Sequence, residues 1–163
     1  MKCNKSIVLI LIYIFTIVLT LYLSKIYSNS SNSVVDSFLD DYLFDVTGKS
    51  YNDLYSNINN YNNENGNYVV YVSSNDYEQF NSDMKSFIIK NNYKNKILYI
   101  NYSSVGISSI NEMIATFCDN CSRLKKDVLP VFICFKNQKI DKIISSKDIS
   151  FDDLGSLLGV YYD

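Results

Sequence analysis

From Ile7 to Leu23 the chain reads IVLILIYIFTIVLTLYL, without a charge, a glycine or a proline. Extended by Ser6 and Ser24, such a run just spans a hydrocarbon core of about 30 Å at about 1.5 Å per helical residue. Its polar groups are Thr16, Thr20, Tyr13 and Tyr22. Threonine hydroxyls can bond back to their own helix, and Tyr22 suits the interfacial belt. Lys2 and Lys5 precede the run. Lys25 follows it, but Asp36, Asp40, Asp41 and Asp45 dominate beyond. The positive-inside rule then places residues 1–6 in the cytoplasm, 7–24 across the membrane, 25–33 as a polar tether and 34–163 outside the cell membrane. A cleaved signal peptide is the competing reading. Its apolar region is normally about 7–15 residues and closes in a small-residue site, for which only the Ser28-Asn29-Ser30 patch offers itself.

About 120–130 residues remain after the anchor and tether, enough for one domain with one core. The formal net charge of -2 gives no footprint for nucleic acid. Histidine is absent, which removes His-based catalytic triads and most zinc sites. No metal or cofactor site is read from the residues.

Periodicity divides the outer segment. Val34 to Phe44 has a helical stripe of Val35, Phe38, Leu39, Tyr42 and Leu43. Asp45 to Ser50 reads as extended, Tyr51 to Tyr61 as a second helix, and Asn60 to Asn67 as a loop. Tyr68-Val-Val-Tyr-Val72 is continuously apolar, β-branched and aromatic, the pattern of a strand buried on both faces. A helix is expected from about Tyr77 to Lys90, with Tyr77, Phe80, Met84, Phe87 and Ile88 on one stripe. The strand Lys96 to Tyr102 follows, and the two strands should be parallel. Ser109-Ile-Asn-Glu112 has the form of a capping box opening a helix through Phe117. The single proline introduces the strand Leu129 to Phe135. Ile140 to Ser145 should be its antiparallel partner, and Ser150 should cap a final helix with Leu154, Leu157 and Leu158 inward.

The order β-α-β-α-β-β-α, with proline before the third of these strands, resembles the thioredoxin fold over about Val46 to Tyr162. The best-matching stretches are YVVYVSSNDYEQF (Tyr68 to Phe80) and LPVFICFKNQKIDKII (Leu129 to Ile144). Within that family the chain looks most like the membrane-associated thioredoxin-like proteins grouped with bacteriocin transport accessory proteins. The resemblance implies an α/β three-layer sandwich, a central mixed sheet with helices on both faces. It also implies a cis Leu129–Pro130 bond beside a peptide-binding groove. In redox-active members a Cys-x-x-Cys stands where the first strand meets its helix, and the helix N-terminus stabilises the thiolate. Here that position carries Ser74-Asn75-Asp76-Tyr77, and neither cysteine is present. Ser74 or Asn75 has an adequate structural role as a cap.

Four cysteines remain. Cys3 precedes the anchor, and Cys134 falls in a strand where it behaves as a small hydrophobe. Cys118-Asp-Asn-Cys121 is a Cys-x-x-Cys displaced from the family position. Three readings stay open: a local structural disulfide, a displaced redox pair near Pro130, and two unlinked thiols. A helix C-terminus and Asp119 disfavour a thiolate at Cys118, while Arg123, Lys125 and Lys126 act the other way. Two functions follow: a non-catalytic accessory or binding module for a peptide, envelope or secretion partner, or a thiol–disulfide oxidoreductase using Cys118 and Cys121.

Overall fold

The structure is a computed structural model that describes residues 13–23 and 41–162. The chain divides into two compact units, Met1–Ser37 and Phe38–Asp163.

In the first unit, residues 13–23 form helix α1, and every one of them is exposed. Thr16 Oγ1 donates to the Tyr13 carbonyl and Thr20 Oγ1 to the Thr16 carbonyl, each at 2.8 Å. The threonines therefore satisfy their hydroxyls within the helix, as the sequence suggests. Among the described residues no helix is long and apolar enough to cross a membrane. Residues 7–12 of the apolar run, Ser24, the tether, Cys3 and most of the expected helix Val34 to Phe44 lie outside the described residues.

The second unit is built on a five-stranded sheet of order β1-β3-β2-β4-β5. The strands are β1 (Phe44–Asp45), β2 (Asn67–Ser73), β3 (Leu98–Asn101), β4 (Val131–Lys136) and β5 (Lys139–Ser145). The helices are α2 (Tyr51–Glu64), α3 (Glu78–Asn91), α4 (Tyr102–Phe117) and α5 (Phe151–Tyr162). β2 pairs parallel with β3 and antiparallel with β4, and β4 pairs antiparallel with β5.

Side-chain alternation along β2 creates two cores. Tyr68, Val70 and Val72 join Leu54, Ile58, Ile110, Met113 and Ile114 from α2 and α4 on one face. Val69 and Tyr71 join Met84, Phe87, Ile88, Leu154, Leu157 and Leu158 from α3 and α5 on the other. Helices thus cover both faces of a mixed sheet, and the strand order with this connectivity is the thioredoxin-like α/β sandwich. The β4–β5 turn places Asn137 at φ 50° and Gln138 at φ 66°, the paired positive φ of a type I′ hairpin. Ser150 caps α5 reciprocally: its hydroxyl accepts from the Asp153 N–H at 3.2 Å and donates to the Asp153 carboxylate at 2.6 Å.

Three boundaries differ from the sequence reading. Phe44 is in strand β1, paired with Leu98, and does not end a helix. Helix α2 continues to Glu64 through the Asn-rich stretch read as loop. It does so because Asn62 is buried and bonded, accepting from the Tyr68 hydroxyl at 3.1 Å and donating to the Gln138 carbonyl at 3.0 Å. Helix α4 opens at Tyr102, capped by Asn101 through the Ser103 N–H at 3.1 Å, and Ser109 lies within it. The helix is broken at Gly106, whose φ of 78° and ψ of 153° only glycine adopts without strain.

Candidate functional site

Strand β2 delivers the Ser74–Tyr77 segment at its C-terminal end. Ser74 is fully buried. Its hydroxyl accepts from the Asp76 N–H at 3.3 Å, and its carbonyl accepts from the Tyr77 N–H at 3.2 Å, closing a single 3₁₀ turn ahead of α3. Asn81, one turn into α3, is buried and makes three bonds. Its Nδ2 donates to the Ser74 carbonyl at 2.9 Å, while its Oδ1 accepts from the Tyr71 hydroxyl at 2.7 Å and the Ser73 hydroxyl at 2.9 Å. Burial pushes the Tyr71 phenol well above its ordinary range, and the bond with Ser73 offsets that only partly. Ser74 is therefore a buried cap of the turn that precedes α3. The sequence has no histidine to serve as its base. The Asn75 side-chain oxygen is turned inward and buried without a protein donor.

The outer part of this turn meets the loop that precedes Pro130. The Tyr102 hydroxyl donates to Asp76 Oδ2 at 3.2 Å, and the Tyr77 hydroxyl donates to the Lys126 carbonyl at 3.4 Å. Lys126 Nζ lies 5.6 Å from the Tyr102 ring centroid. The neighbouring Tyr102 hydroxyl raises the pKa of the exposed Lys126 amine. Partial burial, then the neighbouring Tyr102, raises the pKa of Tyr77.

The Leu129–Pro130 bond is cis, as the resemblance implies. Val72 pairs with Val131, so Pro130 lies beside the end of β2, where the Ser74 turn begins. Leu129 and Pro130 are both buried. The Leu129 N–H donates to the Lys126 carbonyl at 3.3 Å, and the Pro130 carbonyl accepts from the Ser146 N–H at 2.8 Å. These backbone groups of the expected groove are already partnered. The opening next to them is a cleft of about 570 Å³ whose lining includes Cys121, Leu124, Val128, Val131, Ile143 and Ser145.

Cys118 and Cys121 form a disulfide with an S–S distance of 2.01 Å. Cys118 is the C-cap of α4, and both cysteines are partly buried against the core under that helix. The pair thus sits at the negative end of a helix dipole, the opposite of the arrangement that stabilises a thiolate. The following segment has a second fastening. Asn111 Oδ1 accepts from the Leu124 N–H at 2.6 Å, and Asn111 Nδ2 donates to the Leu124 carbonyl at 3.0 Å. Cys134 is fully buried in β4, and burial pushes its thiol up to about 12. Among the described residues no cluster of His, Cys, Asp or Glu could hold a metal ion.

The two sequence-derived candidates therefore occupy opposite ends of one segment, the loop from Cys118 to Pro130. Lys126 joins it to the Ser74–Tyr77 turn, and Cys121 joins it to the cleft. Sequence reasoning did not single out Asn81, Asn111 or Tyr102. Asn81 carries a visible signal, a polar residue between Phe80 and Met84 near the inward stripe of α3. Asn111 and Tyr102 carry none, because their partners are distant in sequence.

No family model matches this sequence, and no curated protein matches it. Solved structures similar to it include a mutant thioredoxin from Halobacterium salinarum. It is 9% identical, with 76% of this chain and 93% of that chain covered and a TM-score of 0.49. Another is thioredoxin O1 from Arabidopsis thaliana in its oxidised state. It is 13% identical, with 75% of this chain and 99% of that chain covered and a TM-score of 0.45.

Proposed function

We propose that this chain is a membrane-anchored, extracytoplasmic thioredoxin-like accessory or binding protein with a degenerate SNDY motif, acting in secretion or the cell envelope. The observation that carries the non-catalytic part is Ser74. It takes the place of the nucleophilic thiol, is fully buried and spends its hydroxyl and carbonyl on the turn that starts α3. The disulfide supports the same reading through its place. It joins the C-terminus of α4 to a loop already fixed by Asn111, which is the setting of a structural clip. The anchor rests on the uncharged run from Ile7 to Leu23, the exposed helical residues 13–23 within it, and the lysines before it. The envelope setting and the likeness to bacteriocin transport accessory proteins rest on the sequence resemblance.

The alternative is a thiol–disulfide oxidoreductase. One observation favours it: Cys121 lines an open cleft, so its sulfur is near a place where a substrate could sit. Insulin reduction by the full chain in detergent, with dithiol as electron source, separates the two. The accessory reading expects a rate equal to that of the Cys118→Ser/Cys121→Ser variant. A rate that falls in that variant selects the oxidoreductase. Protease shaving of intact cells expressing the chain tests the orientation, and protection of the Tyr51–Tyr162 region would overturn it.

A further inference from the structure

The outer edge of β5 opens onto the cleft. β5 pairs with β4 alone among the described residues. The Ser146 N–H donates to the Pro130 carbonyl, so the antiparallel alternation turns the backbone groups of Ile144 toward β4 and those of Ile143 and Ser145 outward. The Ser145 carbonyl is taken by the Asp148 N–H at 2.9 Å. The Ile143 N–H, the Ile143 carbonyl and the Ser145 N–H are left facing away from the sheet.

Edges of this kind template strand addition, and proteins blunt them with charges and bulges. The first half of β5 is blunted. Lys139, Asp141 and Lys142 are exposed, and the register shifts between Cys134 and Phe135, where Asp141 is the extra residue. The second half, Ile143-Ile144-Ser145-Ser146, has no charge. Ile143 and Ser145 share one face of the strand, and both line the cleft. Its apolar lining is Leu124, Val128 and Val131 beside Cys121, and the exposed Arg123, Lys125, Asp127 and Asp148 also line it. The Ser145 hydroxyl donates to the Val128 carbonyl at 2.7 Å.

Resting on the accessory reading, we propose that the outer edge of β5 at Ile143–Ser145 is its partner-binding site. It takes an extended segment of another protein by strand addition, with one uncharged β-branched or other apolar side chain entering the cleft. Backbone pairing supplies affinity, and the buried Leu124 and Val131, set within the exposed charges of Arg123, Lys125, Asp127 and Asp148, supply selectivity for an apolar side chain. A second copy of this chain is a poorer occupant. Antiparallel self-pairing sets Ile143 against Ser145, whose carbonyl is taken, or against itself, which brings the bulged Asp141 opposite Ser145.

The test uses the full chain in detergent micelles with a blocked heptapeptide, Lys-Thr-Val-Thr-Val-Thr-Lys, followed by residue-resolved amide exchange. At saturation, exchange at Ile143 and Ser145 slows by roughly tenfold or more, and a peptide N-methylated on its pairing edge gives no slowing. Ile143→Pro removes an outward N–H, which an edge strand tolerates, and weakens binding by about tenfold or more, whereas Ile143→Val does not. If Ile143→Pro fails to fold, the methylated peptide makes the same test. Absence of slowing at both amides overturns the edge site, as does slowing confined to the Ser74–Tyr77 turn. Slowing without peptide that grows with protein concentration also overturns it, in favour of a second copy. Cysteine-dependent insulin reduction overturns the accessory reading and leaves the edge measurement standing, so the two failures are distinguishable.

Discussion

The side-chain amide of Asn81 donates to the carbonyl of Ser74 at 2.9 Å, tying the first turn of α3 to the end of β2. Through its oxygen the same side chain accepts from Tyr71 and Ser73, so one buried residue fixes the Ser74–Tyr77 turn. Substituting Asn81→Leu leaves the Ser74 carbonyl and two hydroxyls buried without that partner. Each buried polar group so orphaned costs about 1–3 kcal/mol, and part of that is recovered by relaxation. The expected loss is roughly 2–4 kcal/mol, read as a lower urea midpoint.

Gly106 supports a second prediction. Its φ is 78°, and a Cβ there would meet nothing within 4 Å. The effect of Gly106→Ala is therefore confined to the backbone and should be a loss of roughly 1–3 kcal/mol. Tyr102 lies in the short helical piece before this break, so the same variant should weaken its contact with Asp76. Changed tyrosine fluorescence or chemical shift at Tyr102 would report it.

Above neutral pH the fold should weaken. Burial raises the thiol of Cys134 from 9.0 to about 12; Lys142 and the bond with Tyr161 offset this in part, and Asp141 adds to it. Burial also raises the phenols of Tyr68 and Tyr71. A group raised on folding contributes fully below its unfolded pKa and loses that contribution as pH climbs toward the folded value. The denaturant midpoint is expected to fall progressively between about pH 9 and 12. It should fall less in Cys134→Ala, judged against that variant's own value at pH 7. A native-state thiol count at pH 8 should find Cys134 unreactive toward iodoacetamide.

The Cys118–Cys121 bond closes a very short loop, for which the chain-entropy model gives about 2 kcal/mol. The double serine variant should lose no more than that and keep its fold, because Asn111 still holds Leu124. Combining it with Asn111→Ala should free the segment further. Amide exchange over residues 119–125 should then rise beyond the sum of the separate effects.

What the sequence revealed follows the range of each interaction. Strands β2 and β4 are legible because both faces of each are apolar, and α5 because its cap and its stripe are local. The N-terminal stretch misled, since Phe44 directly follows a helical stripe ending at Leu43 in sequence but pairs with Leu98 in space. The Asn-rich stretch misled in the same way, because Asn62 is helical only by virtue of Tyr68 and Gln138. At the site, the cis proline was visible from the resemblance, and the Cys118 and Cys121 pair from residue identity, with its bonding left open. The edge of β5 was not, since which strand ends a sheet is decided by strand order. Nor was the bonding of the Leu129 N–H, which depends on a turn to Lys126.

On the proposed accessory reading, Cys118 and Cys121 clip the structure and do not exchange with substrates. Mixed-disulfide trapping addresses it directly, using full chains carrying Cys118→Ser or Cys121→Ser and a model peptide disulfide, with the adduct read by mass. No adduct is expected on the remaining cysteine above the level reached by an unstructured peptide thiol. Rapid, near-complete trapping on one of the two cysteines, but not the other, would contradict it and identify an attacking thiolate.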